Sequence, residues 1–465
     1  MNLQYKHVVA IIYTIILFLD RQDLTMINIT LPTVATYFSV PIVATEWVSM
    51  AFLLALAVSI PISSWLGDRF GPKKIYIAAI CLFGFSSILC ALVEDLNFLI
   101  SLRFVQGIGG GILMPVGMTM LYHAYDKAEY ASITSFTFLP SLIAPAISPF
   151  LGGILLDYFG WRFVFLFSGP ICLILAIFGF LVLKEETHRN RVPLDWIGFF
   201  LSSFLLIDTF YILSLINKLS YLYIIFILFI VLLILIFLFI WWEKRVAHPL
   251  VNLSFFNVDI FVKANLIQLC FQSCHFGAIF LFGMYLQVGV GMSASVAGLI
   301  MGMQAFGAMT TSRYSVYLFN LYGPKTPLII GLTGVALLSP CIMLIQHPSM
   351  IAFGIFLFFI RGIFSGLCGT PIQTLSVIGF SKENLGQINS IFNACRQIAI
   401  SLGVSISSIF ISVGLKINRL TETSSIQPRQ AIHVFGLGFF SIFIIAIIGI
   451  LISNRIKACH QLINK

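Results

Sequence analysis

Apolar runs long enough to cross a bilayer, separated by short polar breaks, recur fourteen times along the chain. They cover residues 7–30, 45–66, 74–93, 97–121, 131–156, 161–183, 194–216, 219–242, 260–287, 293–317, 325–345, 349–371, 385–415 and 432–454. A hydrocarbon core of about 30 Å needs roughly 20 apolar residues in helical form. The pattern therefore predicts an all-α integral membrane protein of fourteen spans with little chain left for a domain outside the bilayer. The first run leads into Asp20, Arg21 and Asp23 rather than a small-residue cleavage site, so it is read as a retained span and not a signal peptide. Six spans precede residue 187 and six follow residue 260. That spacing predicts a bundle over 1–186, an inserted two-helix hairpin with its linker over 187–259, and a second bundle over 260–465.

Composition narrows the function classes. Of 465 residues 59% are hydrophobic and only 9% charged, with a mean hydropathy of +1.03, whereas soluble domains carry about 25% charged residues. The net charge of +9 looks at first like a nucleic-acid signal. Its Lys and Arg residues sit singly in short loops, so they are read as topology information and no nucleic-acid partner is expected. With the N-terminus inside, sixteen basic residues fall in inner segments and five in outer ones, which predicts that both termini are cytoplasmic. All six Trp lie near span ends, as an interfacial belt requires. Cys270, Cys274 and His275 form the nearest approach to a metal cluster. Lacking a carboxylate or a second His, they are read as helix packing, and neither a metal nor a cofactor is expected.

A weak repeat runs through the chain. Phe70-Gly71-Pro72-Lys73 returns as Tyr322-Gly323-Pro324-Lys325, and Arg103 followed by glycines and Pro115 is echoed by Arg361, Gly362, Gly366 and Pro371. Parallel halves related by an axis along the membrane normal would explain both echoes. The run Gly107 to Gly111 follows no strand and lacks the G-x-G-x-x-G spacing. It is read as close helix packing and not as a phosphate loop.

These residues resemble the major facilitator superfamily, and specifically its fourteen-span drug:proton antiporter branch, along essentially the whole chain. Ser64, Leu66, Asp68, Arg69, Gly71 and Lys73 follow the superfamily's G-x-L-A-D-R-x-G-R-K loop, with Ser64 in place of the first Gly and Pro72 in place of an Arg. The first span carries Asp23 to Pro32, similar to the branch's D-x-x-I-V-N-V-A-L-P, and so brings in Asn28. Arg103, Gln106 and Gly107 resemble R-x-x-Q-G, and Asn393, Arg396 and Gln397 resemble N-x-x-R-Q. Pro145, Pro149, Gly152 and Gly153 fall where antiporters show G-P-x-x-G-P-x-x-G-G, with Ala144 and Ser148 replacing the two leading glycines. The resemblance implies a major facilitator fold of two six-helix bundles plus the inserted hairpin. It also implies a cytoplasmic gate at Asp68, Arg69, Gly71 and Lys73, a substrate cavity at Asn28, Gln106, Arg361, Arg396 and Gln397, and an antiport motif at Pro145, Pro149, Gly152 and Gly153.

Charges inside the membrane are costly and should face a cavity or a partner. Counting at 1.5 Å per residue puts Asp23 roughly 22 Å above the inner end and Arg103 roughly 8 Å below the outer one, depths that coincide in a 30 Å core. Asp23, with Asp20 one turn earlier and Arg103 opposite, is therefore the expected proton-coupling centre. Neutralising Asp23 is expected to stop coupling without loss of folded protein. Asp208, in the hairpin, is read as a polar residue near the outer surface.

The leading expectation is proton-coupled export of a small amphipathic or hydrophobic compound by alternating access. The expected partners are a small-molecule substrate, protons and the lipid bilayer of a bacterial inner membrane, with the protein a monomer and not an enzyme. A cationic cavity would alternatively suit an anionic metabolite such as a siderophore, imported or exported. A non-transporting receptor or scaffold would have no reason to carry buried charges.

Overall fold

The computed structural model describes residues 5–125, 130–185, 193–215, 221–247, 249–378, 380, 385–418 and 428–456. The described chain is helical throughout its length. Fourteen long helices follow in order: α1 (Tyr5–Phe38), α2 (Glu46–Phe70), α3 (Pro72–Ala91), α4 (Leu96–Ala124), α5 (Tyr130–Phe159), α6 (Trp161–Val182), α7 (Trp196–Leu215), α8 (Leu222–Glu243), α9 (Asp259–Met284), α10 (Ala294–Tyr322), α11 (Lys325–Cys341), α12 (Ile351–Val377), α13 (Leu385–Ile417) and α14 (Pro428–Asn454). Each predicted span has its helix. The largest displacement is at α1, which continues from the expected end at 30 to Phe38 through Pro32.

Among the described residues, eleven helices are both long and apolar enough to cross a membrane. Neither α1 nor α10 is among them. The first carries Asp20, Arg21 and Asp23, and the second is rich in Ala, Gly, Ser and Thr. Helix α1 is largely buried between other helices, where such residues meet protein in place of lipid, whereas α10 buries most of its first half and exposes Tyr314, Tyr317 and Tyr322.

Local chemistry sets the helix ends. Asp95 caps α4 by accepting from the Phe98 amide at 2.8 Å, and Ser293 caps α10 through the Val296 amide. The two repeat echoes make the same turn. Gly71 (φ 98°) separates α2 from α3, and Gly323 (φ 74°) separates α10 from α11. Each is followed by a proline opening the next helix, so the repeat is legible in backbone conformation as well as in sequence. These two turns mark one end of the molecule, called here the turn end.

Packing follows from which faces are apolar. Within residues 5–182, α4 lies against α2 and α3, α1 against α5, and α3 against α6; within 259–454, α10 lies against α12, α9 against α13 and α14, and α11 against α12 and α14. The two sets meet chiefly through α5 with α10 and α2 with α13. At the far end a single hydrophobic core runs across both sets, joining Ile29, Leu31 and Val34 to Phe282, Tyr285 and Phe435. Toward the turn end the core is divided, with one cluster around Ile12, Tyr76 and Leu113 and another around Ile267, Leu332 and Ile372.

The hairpin is different. Helix α8 packs on α7 and buries a single residue, Glu243. Its uniformly apolar sequence suits a helix that faces lipid on nearly every side. Asp208 on α7 is 8% exposed and has one carboxyl oxygen without a partner.

Of the basic residues used for orientation, Lys127, Arg189, Arg191, Lys218, Lys382, Arg419, Lys457 and Lys465 lie outside the described residues, as does the expected boundary at 186–187. The side chains of Ser64, Arg313 and Arg429 lie outside them too.

Candidate functional site

Three side chains meet between α1 and α4. Arg103 Nη1 donates to Asp23 Oδ2 at 2.5 Å and to Gln106 Oε1 at 2.8 Å, while Gln106 Nε2 donates to Asp23 Oδ1 at 3.3 Å. Arg103 Nε donates to the Val48 carbonyl at 3.0 Å, and its guanidinium lies 4.4 Å from the Phe52 ring centre. The pair is sealed, with side-chain exposures of 0% for Arg103 and 3% for Asp23. One guanidinium nitrogen, Nη2, keeps no partner. A buried ion pair survives only when its remaining donors and acceptors are largely satisfied, and Gln106 with the Val48 carbonyl supplies most of that.

Beside the pair is a narrow central cavity. It is lined by Asn28 from α1, Ser49 and Phe52 from α2, Arg103 from α4, Phe276 from α9 and Ile400 from α13. Ser49 Oγ and Asn28 Oδ1 stand 3.5 Å apart across it. The wall is mainly apolar with a few polar groups.

The other expected residues fall in separate places. Asp20 is buried one turn toward the turn end, with Oδ1 unpartnered and facing Gly110, outside hydrogen-bonding reach of Arg103. Arg396 on α13 comes within electrostatic reach of Asp20 and Arg21, and its Nε has no partner. Gln397 is buried with a free Oε1. Arg361 does not line the cavity. It is wholly enclosed, donating to Gln304 Oε1 at 2.5 Å and Ser339 Oγ at 3.2 Å, with Phe282 at 4.9 Å. Arg103 and Arg361 thus echo each other as arginines enclosed with a glutamine and a phenylalanine, and only Arg103 has a carboxylate. Gln304 Nε2 lies 3.2 Å from His275 Nδ1, and Cys274 Sγ donates to the Ile442 carbonyl.

Two contributors escaped the sequence reading. Ser49 carries no motif. Arg21 was visible as a charge between two aspartates, yet its position beside α4, with Nη2 3.0 Å from Met114 Sδ, needed the packing.

At the turn end Asp68 and Arg69 are exposed, and among the described residues neither forms a hydrogen bond or ion pair. Partial burial raises the Asp68 pKa from its ordinary value, opposed by nearby His123. Lys73 Nζ lies over the Phe180 ring at 5.4 Å. A side chain on Gly71 would require a positive φ and would strike the Glu185 carboxylate. Gly71→Val is therefore expected to slow transport at least tenfold, and Asp68→Asn less, with substrate affinity nearly unchanged in equilibrium binding. Lost affinity at parental turnover would contradict this.

The far end is closed by contacts between the two sets of helices. Asp157 at the end of α5 accepts from the Ser295 amide at 2.8 Å and from its hydroxyl, capping the start of α10. Gln287, carried by a π-turn after α9, donates to the Ile29 carbonyl at 3.1 Å. Pro149 presents its carbonyl to Gly298, Gly153 lies against Ala294, and Gly152 lies against Met26, so the backbones approach as only small residues allow. Pro145 is half-buried in the same continuous helix α5.

The sequence pattern of the Major Facilitator Superfamily matches residues 13–404. The chain belongs to that superfamily. Members of the superfamily are secondary transporters and not enzymes, and this one is a multi-pass membrane protein with the all-helical facilitator fold. Among curated relatives, "Putative multidrug resistance protein MdtD" of Yersinia enterocolitica is 28% identical over 95% of this chain and 93% of its own length. The protein of the same name from Pectobacterium carotovorum is 29% identical over 95% and 94%. Among solved structures, an auto-inhibited POT family peptide transporter superposes with a TM-score of 0.70 at 14% identity, covering 97% of both chains. A bacterial homologue of the lysosomal transporter Spinster, inward-facing and unoccupied, gives 0.67 at 16% identity over 98% of both. These likenesses establish the facilitator fold.

Proposed function

We propose that this facilitator exports a small amphipathic or hydrophobic organic compound in exchange for protons, by alternating access. The observation that carries the reading is the enclosed Asp23–Arg103–Gln106 network on the wall of the central cavity. A carboxylate that can leave its arginine partner and take a proton as access alternates is the usual coupling device of intramembrane acids. The relatives' printed names support a drug-like substrate, and the helix-1, helix-4 and helix-13 motifs support the fourteen-span antiporter branch.

In this proposal the moving bodies are residues 1–186 and 260–465, with 187–259 as the inserted hairpin. Both termini are cytoplasmic, the turn end faces the cytoplasm, and the membrane is a bacterial inner membrane. The continuous far-end core, the divided core at the turn end and the unlatched Asp68 and Arg69 then describe an inward-facing state of a monomer. Reporter fusions at the two termini are expected to be active only in the cytoplasm; ends on opposite sides would overturn the topology.

The decisive experiment is transport in proteoliposomes with an imposed pH gradient against a mixed panel of cationic, neutral and anionic amphiphiles. Gradient-driven movement of any of them, abolished by an uncoupler, is the expected result. A second reading, an anionic metabolite as cargo, is favoured by one observation: Arg21 and Arg396 have no carboxylate ion pair among the described residues. The anionic arm of the panel tests it.

A further inference from the structure

The most apolar helix of the molecule, α8, buries one residue, and that residue is an acid. Glu243 is 4% exposed, at the base of the inserted hairpin. Asp195, 8% exposed, stands opposite it in the turn that opens α7. Each carboxyl has one satisfied oxygen. Asp195 Oδ1 accepts from the Gly198 amide at 2.9 Å and from Trp242 Nε1 at 2.8 Å, while Glu243 Oε2 accepts from the Val251 amide at 3.2 Å. The other two oxygens, Asp195 Oδ2 and Glu243 Oε1, are buried with no partner. Both crowd the place a Gly198 Cβ would occupy, so they lie no more than about 5 Å apart, a range in which two carboxylates cannot comfortably both ionise.

Among the described residues no cation relieves the pair; Arg189 and Arg191, in the segment leading to Asp195, lie outside them. Lys244 and Arg245 follow Glu243 but are exposed, with Arg245 lying over the Trp241 ring at 4.1 Å. Helix α2, which packs on α7, ends in Asp68 and Arg69, both exposed. Helix α13 brings only Arg396, beside Asp20 and Arg21, and Lys416 in its last turn. Asp208 lies more than three turns along α7. His248 lies outside the described residues.

We propose that Asp195 and Glu243 form a second proton-binding site, separate from the transport cavity, in which one proton held between the two carboxyls closes the base of the hairpin. The geometry gives the proton a structural task. It joins the start of α7 to the end of α8, and Glu243 in turn holds the Val251 amide in the linker leading to α9. Loss of the proton leaves two facing carboxylates, whose repulsion opens the hairpin base and releases Val251. The linker is thus tied while the pair holds its proton and freed when rising pH removes it, on the side where α7 begins.

The test uses the full chain in lipid nanodiscs between pH 6 and pH 9. Infrared difference spectra are expected to show a protonated carboxylic-acid carbonyl band that vanishes in Glu243→Gln and in Asp195→Asn and persists in Asp23→Asn. Hydrogen exchange at Val251, corrected for intrinsic rate, is expected to accelerate at least tenfold by pH 9 in the parent. It should be flat in Glu243→Gln, whose amide can donate to Asp195 permanently. Asp195→Asn retains a side-chain oxygen for the Gly198 cap and supplies a second folded variant. A band indifferent to both substitutions, or exchange that is equally flat in parent and variant, overturns the proposal. So does protection at pH 9 restored by sodium, magnesium or calcium with no protonated-acid band, which would make the occupant a metal cation.

Discussion

Asp23→Asn is expected to abolish proton-for-substrate exchange, lowering substrate-induced proton release in reconstituted vesicles by at least a hundredfold. Asparagine keeps an oxygen for Arg103 Nη1 but turns its NH2 toward the Gln106 NH2, so the Arg103 contact persists, the Gln106 bond is lost and the titratable group is gone. Asp20→Asn should have a smaller effect, because Asp20 faces Gly110 and stands outside the Arg103 network. The structure revises the expectation that Asp23→Asn leaves folded protein undiminished. Arg103 is wholly enclosed, so removing its countercharge leaves a buried cation held only by Val48, Gln106 and Phe52. Breaking a buried pair typically costs about 3–5 kcal/mol. Retained neutral hydrogen bonds should place this variant near or below the lower end, visible as a reduced thermal midpoint. The double variant Asp23→Asn/Arg103→Gln removes both charges and should regain much of that stability while remaining uncoupled. Parental proton release in Asp23→Asn would place the coupling site elsewhere.

The order and extent of the helices were legible because hydropathy writes them directly: α8 is apolar on every face, and breaks at Gly71 and Gly323 fall where the backbone needs a positive φ. The length of α1 was not, because Pro32 reads as the end of a helix, whereas α1 continues through it to Phe38. Helical rise brought Asp23 and Arg103 to one depth, but not Asp20's rotation toward Gly110 or Gln106's bridging role. Arg361 shows the limit most clearly. Its sequence echo of Arg103 suggested a matching place on the cavity, whereas α12 turns it inward onto α10 and α11, with Gln304 and Ser339 taking the carboxylate's place. The sharing of Gly198's space by Asp195 and Glu243 depends on how α7 and α8 cross, and no local pattern encodes that.

Gly298→Val is expected to reduce transport at least a hundredfold by preventing the far end from closing. In the structure a Cβ at this position would strike the Pro149 carbonyl, which belongs to a helix backbone and cannot swing aside as a side chain can. Gly153→Val presents the reciprocal conflict with Ala294 and Ser295. Overpacking of a tight interface costs about 1–3 kcal/mol, and each 1.4 kcal/mol shifts a two-state population about tenfold. A conflict at the upper end of that range suffices to empty the closed state, and a state in which α5 and α10 part would be relieved of it. The variant should therefore fold, retain substrate binding from the far side and stall. The readout is thiol labelling of Asn28→Cys, a cavity position, with a membrane-impermeant reagent applied from each side of oriented vesicles. Labelling from the far side should rise and labelling from the turn end should fall. Gly369→Ala is the control, since a Cβ there meets nothing within 4 Å and alanine favours a helix; it should transport and label as the parent does. If Gly298→Val labels from the turn end at the parental rate, the α5–α10 contact is not the far-side closure, and the inward-facing reading of this state falls with it.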